Sequence, residues 1–370
     1  MKQIVCLLLI CMLLAGCGET EAAQTGPETT QAAVQETIDS TALRLTQEPN
    51  VRKATYEGKE AYTDFLAQAQ PLFLIPGLKQ VLTPQGIASC PTTGRTYISA
   101  YSVDDLPSVV MVTEAQSNEL VAEYYLYNAD GTPFTSHVGG VAVTETHMYL
   151  SAKLDNDGSY RIAAIALADL PREGAHNITV EETIAMAMSP SMMSYSEGFL
   201  WVGNFYHPNA DYNLSPNMNY TTPAADGSEY GCYILGFDMR QGHQRLLTDN
   251  DYPMPDVILA APNRVQGVTL AGNNHVVLSQ SYGRANDSAL LIYDLDLTGE
   301  SDLTLTLNGQ QIPAFLLDIN RQTHQINTIP MSEGLATAAD GRVLVLFESG
   351  AIRYQDGKHR TSYVWALTVQ

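Results

Sequence analysis

Val265-Gln266-Gly267-Val268-Thr269, then the turn Ala271-Gly272-Asn273-Asn274, then Val276-Val277-Leu278-Ser279 reads as two short apolar strands joined by a hairpin. The pattern occurs four more times. Pro84-Gln85-Gly86-Ile87-Ala88 precedes Thr96-Tyr97-Ile98-Ser99, and Gly139-Gly140-Val141-Ala142-Val143 precedes Met148-Tyr149-Leu150-Ser151. Ser191-Met192-Met193-Ser194-Tyr195 precedes Leu200-Trp201-Val202-Gly203, and Ser332-Glu333-Gly334-Leu335-Ala336 precedes Val343-Leu344-Val345-Leu346. The third copy carries Met192 where the others have glycine. A third strand rich in β-branched and aromatic residues follows each pair, over Val109 to Val112, Ile162 to Leu167, Tyr233 to Phe237, Leu290 to Tyr293 and Tyr363 to Leu367. A weaker fourth strand is expected after several of them, for example over Ala122 to Tyr127 and Ile178 to Glu182. Units of four antiparallel strands repeated along a chain build an all-β propeller. Equivalent positions 86, 140, 192, 267 and 334 lie 54, 52, 75 and 67 residues apart, so five blades fit. A six-bladed ring, with a degenerate blade inside the long third or fourth unit, is the alternative.

The last unit ends at Gln370 just after its third strand, so the ring needs a strand from elsewhere. Pro71-Leu72-Phe73-Leu74-Ile75 is the candidate and Ala54-Thr55-Tyr56 the second choice; closure removes edges that would template aggregation. One helix is expected, over Glu60 to Ala69, with Ala61, Phe65 and Ala69 apolar.

The chain start predicts where the protein resides. Lys2 precedes an apolar run from Ile4 to Leu14, and Leu14-Ala15-Gly16-Cys17 ends it with small residues before a cysteine. The combination resembles a bacterial lipoprotein signal peptide. The resemblance implies cleavage after residue 16, diacylglyceryl and palmitate-type acylation at Cys17, and attachment to the extracytoplasmic side of the cell membrane or outer membrane. Two or more acyl chains hold stably at about 0.8 kcal/mol per buried methylene. A transmembrane anchor would need about 20 apolar residues, and polar Glu19-Thr20-Glu21 interrupts too soon. Residues 17–45 read as a lipidated cysteine and flexible tether, because a Thr/Glu/Gln/Ala composition buries too little apolar surface to offset ordering. Residues 46–370 form the propeller.

A formal charge of −21 argues against nucleic-acid binding, since no Lys/Arg cluster exists to displace phosphate counterions. Outside the leader only Cys90 and Cys232 remain; they fall in non-adjacent units near opposite ends of their strands, which predicts two unpaired cysteines, at least one buried. No metal site is expected. Asp155-Asn156-Asp157-Gly158 opens like a calcium loop, but its glycine comes too early and no glutamate follows at the liganding distance, so a turn is expected. No cofactor is implied.

Pro84-Gln85-Gly86-Ile87-Ala88, His137-Val138-Gly139-Gly140-Val141-Ala142-Val143, Gln266-Gly267-Val268 with Ser281-Tyr282-Gly283-Arg284, and Met331-Ser332-Glu333-Gly334 with Phe347-Glu348-Ser349 resemble a family of secreted bacterial propellers, over residues 70–370. The resemblance implies the fold and export. It supplies no activity, and propellers as a class host unrelated functions.

In a propeller, residues just before the innermost strand and residues after the second strand reach the same mouth of the central channel. The first group supplies Gln85, His137, Gln266 and Glu333; the second supplies Tyr101, Lys153, Asn204, Tyr206, Ser281, Arg284 and Glu348. Glu333 and Glu348 form a possible acid pair for glycoside or ester hydrolysis, with His137 as base. Alternatively, one glutamate accepts backbone hydrogen bonds and the other pairs with Arg284, and His137 is structural. Gln85, Tyr101, Lys153, Asn204, Tyr206, Gln266, Ser281 and Arg284 are the expected ligand-binding residues, with Arg284 and Lys153 able to hold an anion. The glycines are read as positions of close backbone approach at a narrow axis. Phe205 to Gly231, long and rich in Tyr and Asn, should lie over the mouth and suits recognition of a glycan or peptide. The leading expectation is a surface-tethered propeller binding a polar small molecule, glycan or peptide. An extracytoplasmic hydrolase is second, and an envelope scaffold that binds other envelope proteins is third.

Overall fold

Apolar strands without polar alternation need partners on both faces, and the fold supplies them. A computed structural model describes residues 42–103, 105–152, 159–210, 212–272 and 274–369. Cys17, Lys153 and the 155–158 turn lie outside these residues. Five antiparallel sheets form the blades of a propeller. Their innermost strands are Leu82–Ser89, Val141–Val143, Met192–Ser196, Val265–Ala271 and Ser332–Thr337, blades 1 to 5 in chain order. Five apolar clusters fill the five gaps between neighbouring blades. In Val109–Thr113, Val110 and Val112 face blade 2 whereas Val109 and Met111 face blade 5. In Val343–Phe347, Leu344 and Leu346 face blade 1, and Val343, Val345 and Phe347 face blade 4. Each blade is therefore buried on both faces, which explains the continuous apolar runs.

Ala69–Leu74 closes the ring by pairing antiparallel with Tyr363–Leu367, Ala69 opposite Leu367. The predicted closing strand is thus the one used, and residues 54–56 form no strand. The expected helix forms as a 3-10 turn, Glu60–Tyr62, and an α-helix, Thr63–Gln68. Its buried Phe65 packs 5.0 Å from Trp365, ring to ring, beside the closure.

Among the described residues the two long units hide no sixth blade. In the fourth unit, the hairpin Leu303–Leu307 and Gln310–Leu316 joins the preceding blade, running parallel to the outer strand Val257–Ala261. The second unit repeats this exchange, and here the sequence expectation is corrected. Gly174–Val180 pairs in parallel with Leu120–Asn128 of blade 1, and the fourth strand of blade 2 is Glu182–Met186. Both excursions cover an outer strand that would otherwise be an open edge.

At the axis the inner strands crowd as the glycines implied. A Cβ on Gly267 would lie 2.5 Å from the Glu333 carbonyl oxygen, and one on Gly334 would lie 2.8 Å from the Ile87 amide nitrogen. Blade 3 solves the same constraint in reverse. Gly86 and Gly267 face Ser99 and Ser279 across their hairpins, whereas Met192 faces Gly203, so the large and small partners exchange strands. Both cysteines are free and buried, as expected.

Candidate functional site

Three of the five inner strands begin with an irregularity. Pairing skips from Pro84 to Gly86, from Val265 to Gly267 and from Ser332 to Leu335. Gln85, Gln266 and the Glu333-Gly334 pair are left out, and a bulge re-aims the side chain it releases. The amide nitrogens freed there find hydroxyls: Gly86 N donates to Ser99 Oγ at 3.1 Å, and Ser332 N donates to Ser288 Oγ at 3.2 Å. Ser99 Oγ in turn donates to the Val138 carbonyl of the next blade at 2.7 Å. Arg264, Met331 and Val138 adopt left-handed φ of 67°, 63° and 44° beside these positions. For β-branched Val138, fully buried and directly after His137, that conformation is strained and is held by its surroundings.

The released side chains meet at a cavity of about 790 Å³ to which every blade contributes, including Gln85, Tyr101, His137, Gln266, Ser281, Arg284, Glu333 and Glu348. Eight of the eleven residues placed at the mouth from sequence therefore converge. Asn204 and Tyr206 do not line it. Asn204 is buried as a backbone brace, its Oδ1 accepting from Tyr233 N at 2.7 Å and its Nδ2 donating to the Gly231 carbonyl at 3.1 Å. The Tyr206 ring packs against Gly231.

Glu333 is buried in the cavity wall and hydrogen-bonds with Glu348 beside it. Burial pushes both carboxyls up, Glu348 to about 7, and for Glu333 the Glu348 charge adds to the effect. Two acids in contact cannot both ionise cheaply, so below the range in which Glu348 titrates the pair stays protonated. Gln85 Nε2 donates to Glu348 Oε2 at 2.8 Å, Gln266 Nε2 approaches Glu333 Oε1 at 3.4 Å, and the Tyr354 hydroxyl hydrogen-bonds to Glu348. The pair is therefore a combined donor and acceptor fixed by two amides and a phenol.

Arg284 does not pair with Glu348. Its Nη1 meets Asp356 at 2.8 Å, while its guanidinium lies 4.9 Å from the Tyr354 ring centre. The cation nearer Glu348 is Arg353, which sequence reading missed together with Tyr354. Arg353 donates to the Tyr101 hydroxyl and lies over the Tyr101 and Tyr354 rings. His137 stacks on Tyr101 at 4.5 Å and 5°, and burial followed by the Arg353 charge lowers its pKa, keeping it neutral. The signal for Arg353 and Tyr354 was their position after Phe347-Glu348, where the chain leaves the second strand of blade 5 on the mouth side.

The segment from Phe205 to Gly231 covers the mouth only at its beginning. Phe205 and Tyr212 line the cavity with Tyr282 opposite. Phe205 and Tyr212 meet edge to face at 4.7 Å, and Phe205 and Tyr282 lie at 6.4 Å and 25°. Beyond Tyr212 the segment runs outward: Ser215 Oγ and Asn217 Nδ2 donate to the Ala187 carbonyl, the Tyr220 hydroxyl donates to the Thr306 carbonyl, and Ala225 N donates to Asp318. Among the described residues no group of three or more His, Cys, Asp or Glu side chains is placed to hold a metal ion, and no helix is long and apolar enough to cross a membrane.

Fold and site together define a five-bladed β-propeller with a polar mouth that holds two carboxyls in contact. No family model and no curated protein matches the chain. Solved structures similar to it include a putative oxidoreductase (glucose dehydrogenase) from Thermus thermophilus, 11% identical, with 81% of this chain and 99% of that one covered and a TM-score of 0.38. A structure described as glucose dehydrogenase is 10% identical, covering 82% and 99% at a TM-score of 0.39. Hydrazine synthase of Kuenenia stuttgartiensis is 13% identical, covering 78% and 88% at 0.34. At these identities and scores no activity carries over, and the blade count rests on the strand pairing alone.

Proposed function

We propose that this chain is a membrane-tethered, extracytoplasmic propeller that binds a polar ligand, a glycan or a peptide, at the mouth. The observation that carries the reading is the Glu333–Glu348 pair: buried, mutually hydrogen-bonded and braced by Gln85 and Gln266, at the base of a cavity open to solvent. Concave sites with a few convergent polar groups are where proteins hold small ligands. Glycoside hydrolysis asks for carboxyls about 5 to 10 Å apart across an open cleft. A pair bonded to itself supports binding over that chemistry.

Two experiments test the proposal on the full chain. Glycan and peptide arrays probed with the wild type and with Gln85→Ala should show a bound class that the variant loses; the same binding by both proteins would refute a role for the mouth. Cell fractionation of Cys17→Ser should move the protein from the membrane to the soluble fraction, and an unchanged distribution would refute the lipid tether.

A further inference from the structure

The cavity has two unlike surfaces. At its base, the carboxyl pair and the Gln85 and Gln266 amides set donors beside acceptors. At its rim, Tyr212 and Tyr282 remain 48% and 39% exposed, held by edge and face contacts to Phe205 and His207. Exposed aromatic rings held in place at the edge of a polar cavity are a platform awaiting an apolar face. The nearby cations already have partners: Arg284 meets Asp356, and Arg353 meets the Tyr101 hydroxyl and two ring faces. Burial pushes the deep carboxyls towards their protonated forms and the glutamine amides donate to them, which disfavours a cationic ligand.

On the reading that the mouth is a ligand site, we propose that the ligand is an uncharged carbohydrate, a ring whose adjacent hydroxyls meet the Glu333–Glu348 pair and the glutamine amides and whose C–H face lies on Tyr212 and Tyr282. A sugar hydroxyl is both donor and acceptor, and so is a carboxyl pair holding one proton. A sugar ring is polar at its edge and apolar on its face, matching base and rim in turn. A peptide offers no such pairing of surfaces in one rigid ring, and its terminal charges would find the deep charges already satisfied. Because the pair must keep its proton to donate, binding weakens as pH rises above the range in which Glu348 titrates.

The test uses the full chain on an array of neutral gluco-, galacto-, manno-, xylo- and N-acetylglucosamine oligosaccharides, beside acidic oligosaccharides and random hexapeptides, followed by calorimetry on any hit. The proposal expects a neutral sugar to bind, at least tenfold more weakly with Tyr212→Ala/Tyr282→Ala and at least tenfold more weakly at pH 8.5 than at pH 6. Glu300→Gln, an exposed change outside the cavity lining, should leave affinity unchanged. Binding of peptides or acidic sugars alone, lost in Gln85→Ala, would overturn the carbohydrate assignment and leave the mouth as a ligand site. Binding of nothing on the array would overturn both. A neutral sugar that binds the double tyrosine variant as tightly as the wild type would overturn the stacking geometry and with it this inference.

Discussion

Replacing Glu333 with glutamine should make the protein more stable relative to the wild type as pH rises, although it alters a buried carboxyl. Glu333 is 5% exposed, and burial, then the Glu348 charge, raises its pKa well above the ordinary carboxylate range. A carboxyl whose folded pKa exceeds its unfolded one stabilises the fold fully below the unfolded value, and that contribution is lost as pH rises through the folded value. Above the ordinary carboxylate range the unfolded chain has Glu333 ionised, while in the folded chain burial and the Glu348 charge hold it towards the protonated form. Wherever the folded carboxyl keeps its proton and the unfolded one has lost it, each pH unit costs the wild type about 1.4 kcal/mol that the amide does not pay. Glutamine has nearly the same shape, can donate to Glu348 and can accept from Gln266, so the network survives and Glu348 keeps a neutral neighbour. Urea unfolding of both proteins at pH 5.5, 6.5 and 7.5 reads the effect directly. The curves of stability against pH should diverge steadily, with the variant gaining on the wild type. Parallel curves would show that no buried proton sits on Glu333 and would refute the reasoning.

Further expectations concern the ring and the wall. Gly267→Ala and Gly334→Ala should each destabilise by about 1 to 3 kcal/mol or more, because the added carbon meets backbone of the next blade, whereas Gly272→Ala, with nothing within 4 Å, should be nearly neutral in thermal unfolding. Replacing residues 302–316 with a short Gly/Ser link should uncover the edge strand Val257–Ala261 and cause concentration-dependent association seen by light scattering. His137, lowered first by burial and then by Arg353, should titrate below the ordinary imidazole range by NMR, and Arg353→Gln should move its titration up only part of the way towards the ordinary value. Its cost to stability is absent above the unfolded pKa and grows as pH falls below it.

Much of this was legible in the sequence for one reason: in a propeller the repeat itself is the coordinate system. Val265-Gln266-Gly267 and its four relatives located the inner strands, and with them the mouth, before any contact was known. Pairing partners were less legible. Residues 174–180 carry strand-like periodicity, yet nothing local tells whether such a segment pairs with its own blade or in parallel with the one before, and it does the latter. The repeat also placed Asn204 at the mouth side without revealing that its amide is consumed by Tyr233 and Gly231. Arg353 and Tyr354 were missed because they sit in a short 3-10 turn, Ile352–Tyr354, beyond the second strand of blade 5, which nothing in the repeat marks and which brings Tyr354 to Glu348. Nor does the pattern Gln-Gly or Glu-Gly announce a bulge, although at Gln85, Gln266 and Glu333 the following glycine accompanies one. The structure changes the interpretation of the carboxylates more than their location, from separate acid and base to a single proton-holding pair.

That pair is also where the whole account can be checked at once, since it exists only if blades 1, 4 and 5 bring Gln85, Gln266, Glu333 and Glu348 to one point. Carboxyl-carbon NMR of protein labelled at glutamate Cδ, titrated from pH 4 to 9, measures it. The account predicts that the Glu333 resonance, identified by its loss in Glu333→Gln, titrates well above the ordinary carboxylate range and shifts in Gln85→Ala, 248 residues away along the chain. Glutamates that all titrate near the ordinary value of about 4.3, indifferent to Gln85, would contradict it.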